Sequence, residues 1–381
     1  MVILGSTGSV GEQALDVVAR SDELELVGLA AGTDHETLVA QAGRFGIDAV
    51  ALADASAAAR ASEAWTAGRV LPGEAGIAEL ILESRCDVVL NAIVGFAGLG
   101  PSVATLAAGI DLALANKETL VAGGDLVMAL AEGSGAAVIP VDSEHSALHQ
   151  LIAGQRVGTV DRLVLTASGG PFRGRTLAQL EGVTPAEAIA HPTWDMGGKI
   201  SVDSATLMNK GLELIEAKHL FGVDYGRIDV VVHPQSIVHA LVNLNDGASF
   251  AHLGNPDMRV PISYALHMPE RADVPVEPLD LAAVGPLTFE PPDEDTFACL
   301  RLAREAGREG GVAPCVLNAA NEVAVEEFLA GRLSFTGIAR TVERTLEAAS
   351  PRAVSHFSDL YEADADARSL ARSFATRAAV A

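Results

Sequence analysis

Residues 201–213 read Ser-Val-Asp-Ser-Ala-Thr-Leu-Met-Asn-Lys-Gly-Leu-Glu. Wound as a helix, this run gathers hydroxyl, amide, ammonium and carboxylate groups into roughly three turns. Ser204, Asn209 and Lys210 are the donors an anionic phosphate needs. Glu213 is a hard oxygen ligand of the kind Mg²⁺ or Mn²⁺ takes. Asn209 and Glu213 are four apart and share a helical face, and Lys210 is near enough to screen Glu213. Gly211 costs about 1 kcal/mol relative to Ala in a helix interior, so it marks a close approach, by a ligand or by a packed helix. The run points to a phosphorylated substrate held beside a divalent metal.

A second acidic group lies in Val141-Asp142-Ser143-Glu144-His145. Read as the end of a strand, the period of two puts Asp142 and Glu144 on one face. Two such carboxylates repel unless a cation or proton sits between them. With Glu213 they would supply three oxygen ligands and leave positions for a chelating substrate; a solvent-facing acid pair opening a helix is the plainer alternative. Ser168-Gly169-Gly170 follows an apolar stretch and offers N–H and hydroxyl donors to a phosphate. Residues 191–198, His-Pro-Thr-Trp-Asp-Met-Gly-Gly, have the composition of a lid with glycine hinges. A packed loop anchored by Trp194 would share that composition.

Gly5-Ser6-Thr7-Gly8-Ser9-Val10-Gly11 follows an apolar strand and precedes a helical pattern. Glycines there allow a tight turn and close backbone approach, and the helix N-terminus offers N–H groups to a pyrophosphate. Cofactor choice is set near the end of the second strand, at Gly32-Thr33-Asp34. An acidic residue there suits a ribose 2′-hydroxyl better than a 2′-phosphate. Asp34 could equally cap the helix that follows.

The elements that must position these groups are legible as patterns. Residues 2–4, 24–30, 49–52, 88–92, 110–115 and 136–141 read as strands, with helical stretches such as 12–19 and 35–45 between them. Strand–helix alternation implies an α/β fold with a doubly wound, Rossmann-like sheet. The expected layout is a nucleotide-binding domain over 1–142 and a catalytic and dimerisation domain over 143–267, with strands near 162–166, 229–232 and 248–252 and a flexible loop at 191–199. A proline-rich linker over 268–293 and a helical domain over 294–381 follow, the latter with segments around 294–308, 312–330, 335–349 and 364–378.

At 381 residues several domains are expected. The formal net charge of −24 disfavours a nucleic-acid or anionic-membrane binder, which needs a basic face. Apolar content is 49% and aromatic content 4%, so the cores must be built from Ala, Val, Leu and Ile. Cys86, Cys299 and Cys315 form no CxxC pair, which suits reduced thiols in a cytoplasm. No apolar run reaches the ~18 residues of a membrane span, and no signal segment is expected. Positive charge comes mostly from Arg. Lys appears only at 117, 199, 210 and 218, so each lysine invites a specific role.

Taken together the strings LGSTGSVG (4–11), NAIVGFAGL (91–99), LANKETLV (114–121), PVDSEHSA (140–147), ASGGPFR (167–173), HPTWDMGGKISVDSATLMNKGLE (191–213), HPQSIVH (233–239), GNPDMR (254–259) and LNAANE (317–322) resemble the 1-deoxy-D-xylulose 5-phosphate reductoisomerase family. They run in family order across nearly the whole chain. The resemblance implies a homodimer that uses NADPH and Mg²⁺, Mn²⁺ or Co²⁺. It implies Asp142, Glu144 and Glu213 as metal ligands. Ser168, Ser204, Asn209 and Lys210 match the phosphate-binding positions, Ser143, Lys117 and His191 match substrate contacts, and Trp194 and Met196 match the covering loop. Cofactor contacts are implied at Gly5 to Val10, Gly32, Thr33, Asp34, Asn116, Lys117, Glu118 and Gly197, with Met258 packing against the nicotinamide. Lys117, Glu144, His191 and Glu213 carry the catalytic expectation, Lys117 by stabilising developing negative charge.

The implied reaction is a metal-assisted skeletal rearrangement of 1-deoxy-D-xylulose 5-phosphate, in the family's favoured account a retro-aldol and aldol sequence. Reduction by NADPH to 2-C-methyl-D-erythritol 4-phosphate follows, for isoprenoid precursor synthesis. A sugar-phosphate dehydrogenase without rearrangement is the rival activity. One departure stands out. Many members carry a basic residue followed by Asn where this chain has Thr33-Asp34. NADPH is therefore expected to remain the better cofactor with its preference over NADH reduced.

Overall fold

The structure, a computed structural model, describes residues 1–156, 158–190 and 196–378. The chain divides into two compact units. The first comprises Met1–Thr119, Val127–Ser146 and Asp257–Val276; the second holds Leu120–Leu126, Ala147–Pro256 and the described residues from Glu277 onward.

The first unit is built on seven strands: β1 (Val2–Leu4), β2 (Gly28–Ala31), β3 (Ala49–Leu52), β4 (Arg69–Pro72), β5 (Val88–Asn91), β6 (Asp111–Leu114) and β7 (Val138–Pro140). They lie in the order β4-β3-β2-β1-β5-β6-β7, and every pairing is parallel. Alternate residues face opposite sides, and both sides are buried. Ile3, Leu29, Val50 and Leu52 join one core; Val2, Leu4, Ala30 and Ala51 join another. Strands buried on both faces read as short apolar runs, which is why most of them were visible in the sequence. Strand β4 was not. Only Leu71 of its four residues is buried, and its edge position tolerates Pro72. The strand order reverses at β1 and β5. A crevice for ligands forms at the carboxyl ends of strands at such a switch point, and the glycine-rich turn begins there.

A later segment completes this unit. Helix Arg259–His267 sends Ile262 and Ala265 into the same core as Leu15 and Val18 of helix Ser9–Arg20. Arg259 ties it down by pairing with Asp257 at 2.6 Å and Asp16 at 3.1 Å.

The second unit carries a mixed sheet of β8 (Val160–Ala167), β9 (Ile228–Val232), β10 (Val238–Leu244) and β11 (Ser249–Leu253), ordered β11-β10-β8-β9. Strands β8 and β9 are parallel, and β10 is antiparallel to both β8 and β11. Strand β10 escaped the sequence reading. Val238, His239 and Ala240 are buried in succession, so the polar His breaks the apolar run without producing an alternation. The helical region follows as Cys299–Glu309, Ala313–Leu329, Phe335–Ala348 and Phe357–Ala378. Ala319, Ala320 and Ala324 are fully buried on Ala313–Leu329, small enough for neighbouring helices to pack closely. All three cysteines are free and buried. Burial pushes the Cys299 and Cys315 thiols up to about 12, which suppresses their reactive thiolate.

The 201–213 run is not one helix. Helix Gly198–Ala205 ends and helix Met208–Phe221 begins after a break at Leu207, whose φ is +60°. The Thr206 hydroxyl donates to Val202 O at 3.0 Å and accepts from Met208 N at 3.3 Å. A hydroxyl that competes for backbone groups in this way interrupts the helical ladder. Beyond the break, the close approach at Gly211 is by a helix. A Cβ there would stand 2.5 Å from the Ala303 Cβ on helix Cys299–Glu309. Gly211→Ala would gain about 1 kcal/mol of helix propensity but overpack this contact at a cost of about 1–3 kcal/mol. The second effect is expected to win, lowering the denaturation midpoint; a midpoint raised by the substitution would show that the two helices can part.

Candidate active-site elements

In the first unit the glycine-rich turn is shaped by close contacts. Gly5 has φ +79°, and a Cβ on it would lie 2.6 Å from Ala92 O. A Cβ on Gly11 would lie 2.3 Å from Gly5 O. These two positions admit only glycine without movement of the backbone. Gly8 is the N-cap of helix Ser9–Arg20, and no side chain caps that terminus. The first-turn N–H groups can therefore serve an anion. Thr7 and Val10 are half-buried and Ser9 is exposed, whereas Ser6 is buried and donates to Gln41 Oε1 at 2.7 Å.

Gly32 and Thr33 are exposed after β2. Asp34 caps helix His35–Phe45, accepting from Thr37 N at 3.1 Å. Hydrogen bonds from Thr37 hold its carboxyl below the ordinary range. The capping role is thus real, and a cofactor contact would have to be made by the same carboxylate.

Asn116 organises the next element. Its side chain accepts from Thr119 N at 3.0 Å, capping helix Lys117–Ser134, and donates to Ile93 O, Gly95 O and Glu118 Oε2. Asn91 donates to Gly98 O and Ser102 Oγ at 2.9 and 2.8 Å. These buried amides fasten residues 91–99 to residues 116–119. Asn91 was given no role in the sequence; its signals were its place at the end of an apolar strand and at the head of the family string over 91–99.

Capping thus presents Lys117, whose Nζ lies 2.8 Å from Asp142 Oδ2 with both side chains largely buried. Asp142 also approaches His145 Nδ1 at 3.2 Å and accepts from Glu144 N at 3.3 Å. Strand β7 stops at Pro140, and helix Ser143–Ala153 starts with Ser143 and Glu144 in its first turn. The expectation that Asp142 and Glu144 share a strand face is therefore corrected. They converge because Asp142 caps the helix that Glu144 opens. Ser143 Oγ donates to Glu144 Oε2 at 2.5 Å. Met258 holds the N-cap position of helix Arg259–His267 and packs against the core of the first unit.

In the second unit Ser168, Gly169 and Gly170 follow β8, with Gly170 N donating to Ser168 Oγ at 3.2 Å. Ser204 lies near the end of helix Gly198–Ala205, and Asn209 and Lys210 lie in the first turn of helix Met208–Phe221. Glu213 is fully buried. Asn209 Nδ2 donates to Glu213 Oε1 at 2.6 Å, and Lys210 Nζ pairs with Glu213 Oε2. Lys210 is itself 3% exposed. Met196 is half-buried; its carbonyl and that of Gly197 accept from Ser201 Oγ at 3.4 and 3.1 Å. His191 and Trp194, with most of the expected lid, lie outside the described residues.

Three family models cover most of the chain. The model described as 1-deoxy-D-xylulose 5-phosphate reductoisomerase matches residues 1–124, its C-terminal domain model matches 138–221, and the DXP reductoisomerase C-terminal domain model matches 253–370. A 1-deoxy-D-xylulose 5-phosphate reductoisomerase of Symbiobacterium thermophilum is 52% identical over 379 residues, 98% of this chain and 97% of the relative. That of Chloroherpeton thalassium is 48% identical over 371 residues, covering 97% and 96%. The chain belongs to the 1-deoxy-D-xylulose 5-phosphate reductoisomerase family. Among solved members, the Zymomonas mobilis enzyme in complex with NADPH is 39% identical with a TM-score of 0.91, covering 98% of both chains. A family structure in complex with NADPH, fosmidomycin and magnesium has the same identity and TM-score, covering 98% of this chain and 97% of the other.

Against this family background the electrostatics of Glu213 can be tested on the protein alone. Removing one partner of a buried ion pair costs about 3–5 kcal/mol because the other charge is left uncompensated. Lys210→Met, measured by chemical denaturation in the presence of a chelator, is expected to destabilise by about that amount. Adding Glu213→Gln should recover most of the loss. Additive losses in the double variant would show that the two side chains are not coupled.

Proposed function

We propose that this chain is a working NADPH-dependent reductoisomerase that converts 1-deoxy-D-xylulose 5-phosphate into 2-C-methyl-D-erythritol 4-phosphate, in the non-mevalonate route to isoprenoid precursors. The observation that carries the reading is the full-length family match combined with the retained chemical groups at each expected position. Asp142, Glu144 and Glu213 would hold the divalent cation. Their donors are all carboxylate oxygens with no sulfur, the set that suits Mg²⁺, Mn²⁺ or Co²⁺ in an oxygen-rich site. The glycine turn at the β1 switch point, with its uncapped helix terminus, would hold the pyrophosphate of NADPH. Asn116, Glu118, Gly32, Thr33, Gly197 and Met258 complete the proposed cofactor contacts.

When bound, the cation polarises the substrate's carbonyl and hydroxyl oxygens and NADPH supplies the hydride for the final reduction. The chain's own residues do the rest. Ser168, Ser204, Asn209 and Lys210 fix the phosphate end and so orient the reacting carbons. Lys117 keeps a positive charge beside Asp142 and stabilises negative charge developing on the substrate oxygens. Ser143 and His191 contact the substrate, and Trp194 and Met196 cover it. Assembly as a homodimer fits the second unit, where edge strand β11 exposes Phe250 and Leu253. A cytoplasmic location fits the free, buried thiols, and no helix among the described residues is long and apolar enough to cross a membrane.

Three measurements test this reading. NADPH oxidation with deoxyxylulose phosphate should require added Mn²⁺ or Mg²⁺, and carbon NMR should show a branched product; an unbranched polyol would instead identify a simple dehydrogenase. Glu213→Gln should weaken metal affinity and activity by about 100-fold or more, since even outer-shell partners cost 10–100-fold. Retained turnover with an undiminished metal response would remove Glu213 from the ligand set. Asp34→Asn keeps a competent cap but removes a negative charge beside the proposed 2′-phosphate. Discrimination for NADPH over NADH should rise by roughly 5-fold, the effect of about 1 kcal/mol between exposed charges. An unchanged ratio would leave Asp34 as a cap alone.

A further inference from the structure

The string LNAANE at 317–322 has no place in the roles assigned so far. Its Asn318 and Asn321 lie on helix Ala313–Leu329 and are fully buried. Each donates to a carboxylate. Asn318 Nδ2 reaches Glu322 Oε1 at 2.9 Å, and Asn321 Nδ2 reaches Asp203 Oδ1 at 2.7 Å across 118 residues of sequence. The Asn321 Oδ1 finds no hydrogen-bond partner among the described residues. An unsatisfied buried carbonyl oxygen is destabilising, so the bond donated to Asp203 is what Asn offers at 321 and an apolar residue of the same size would not.

Asp203 is 2% exposed, and its Oδ2 pairs with Lys199 Nζ at 2.8 Å one helical turn earlier. It adjoins Ser204 on helix Gly198–Ala205. The other phosphate turn rests on the end of the same helix. A Cβ on Gly170 would stand 2.8 Å from Ser204 O and 2.9 Å from Ala205 Cα. Gly170 also has φ +67°, so no other residue fits there without strain. Movement of this helix end would therefore displace Ser204 and disturb the Ser168 turn together.

We propose that Asp203, clamped between Lys199 and Asn321, is a positioning residue for the substrate's phosphate. It touches no substrate itself. It fixes the helix end on which Ser204 is carried and against which the Ser168 turn packs. The inference rests on the reading of Ser168 and Ser204 as phosphate donors.

The test uses steady-state kinetics of the full chain with metal and NADPH, with inorganic phosphate as competitive inhibitor. Asn321→Leu removes the donor and keeps the volume. It should raise KM for deoxyxylulose phosphate and Ki for phosphate together by about 5- to 20-fold, with kcat changed by less than about 3-fold and KM for NADPH unmoved, the pattern of lost uniform binding. Lys199→Met should shift the same constants in the same direction, and Lys199→Arg should restore them. Combining Asn321→Leu with Ser204→Ala should give less than the product of the two single effects. An unchanged KM in folded Asn321→Leu and Lys199→Met, or equal losses for deoxyxylulose phosphate and NADPH, would overturn the proposal. If Asn321→Leu does not fold, Lys199→Met decides by the same criteria. Ser204→Ala separates the two levels of argument. An unaltered KM there overturns the phosphate reading itself, whereas a raised KM there beside an unaltered Asn321→Leu overturns only the positioning role.

Discussion

Buried carboxylates need counter-charges, and in a chain of net charge −24 with four lysines that requirement governs where three of the lysines go. Lys117 pairs with Asp142, Lys199 with Asp203, Lys210 with Glu213 and Lys218 with Asp125. The first three carboxylates are at most 12% exposed. A carboxylate buried without a partner would cost several kcal/mol, so these pairs are conditions of folding as well as features of a site. Arginine takes most of the exposed pairs, as with Arg69, Arg162 and Arg301, while Arg368 with Asp364 and Glu322 is a more buried exception. The division has a chemical sense. An ammonium on a flexible stem is a point charge that can shift as a ligand arrives, whereas the planar guanidinium fork is committed to one geometry.

The first unit meets a different constraint, that of space. Gly5 and Gly11 hold the first strand, the turn and the first helix at backbone contact. Asn91 on the neighbouring strand and Asn116 after the strand beyond it do the corresponding work, satisfying carbonyls that the 91–99 turn would otherwise bury unpaired. Glycine contacts and amide networks together give a rigid rim at the carboxyl ends of the strands. Such a rim can set a cofactor against a substrate with little loss of entropy on binding.

Much of this was legible because the signals are local. Parallel strands buried on both faces appear as apolar runs, and the chemistry of residues 201–213 is written in consecutive side chains. What was not legible depends on partners distant in sequence. Strand β10 is central and holds a buried His239, so neither a run nor an alternation marks it. Strand β4 is an edge with one buried residue. Asp142 and Glu144 were expected to meet through strand pleating and meet instead through a helix cap, a distinction that turns on where β7 stops. Gly211 announced a close approach without saying to what, and the answer is Ala303, 92 positions on. Asn321 was visible only within a family string, because its partner Asp203 lies 118 residues away.

The break at Leu207 shows how local strain can serve a site. A buried leucine in the left-handed region costs about 1–2 kcal/mol, and a continuous helix from 198 to 221 would avoid it. A continuous helix would also commit the N–H groups of residues 208–210 to carbonyls one turn back. Breaking at Leu207 makes Met208 the first residue of a new helix, whose first-turn N–H groups lack ladder partners and whose dipole favours negative charge. Asn209 and Lys210 project from that same turn, and Ser204 is the penultimate residue of the helix before it. The break thus adds the field of a helix terminus to three side-chain donors. Glu213 lies one turn further along, where Asn209 and Lys210 can reach it directly. The stretch first read as one helix is the end of one helix and the start of another, an arrangement that would let an anion sit before the second helix with a buried carboxylate within it.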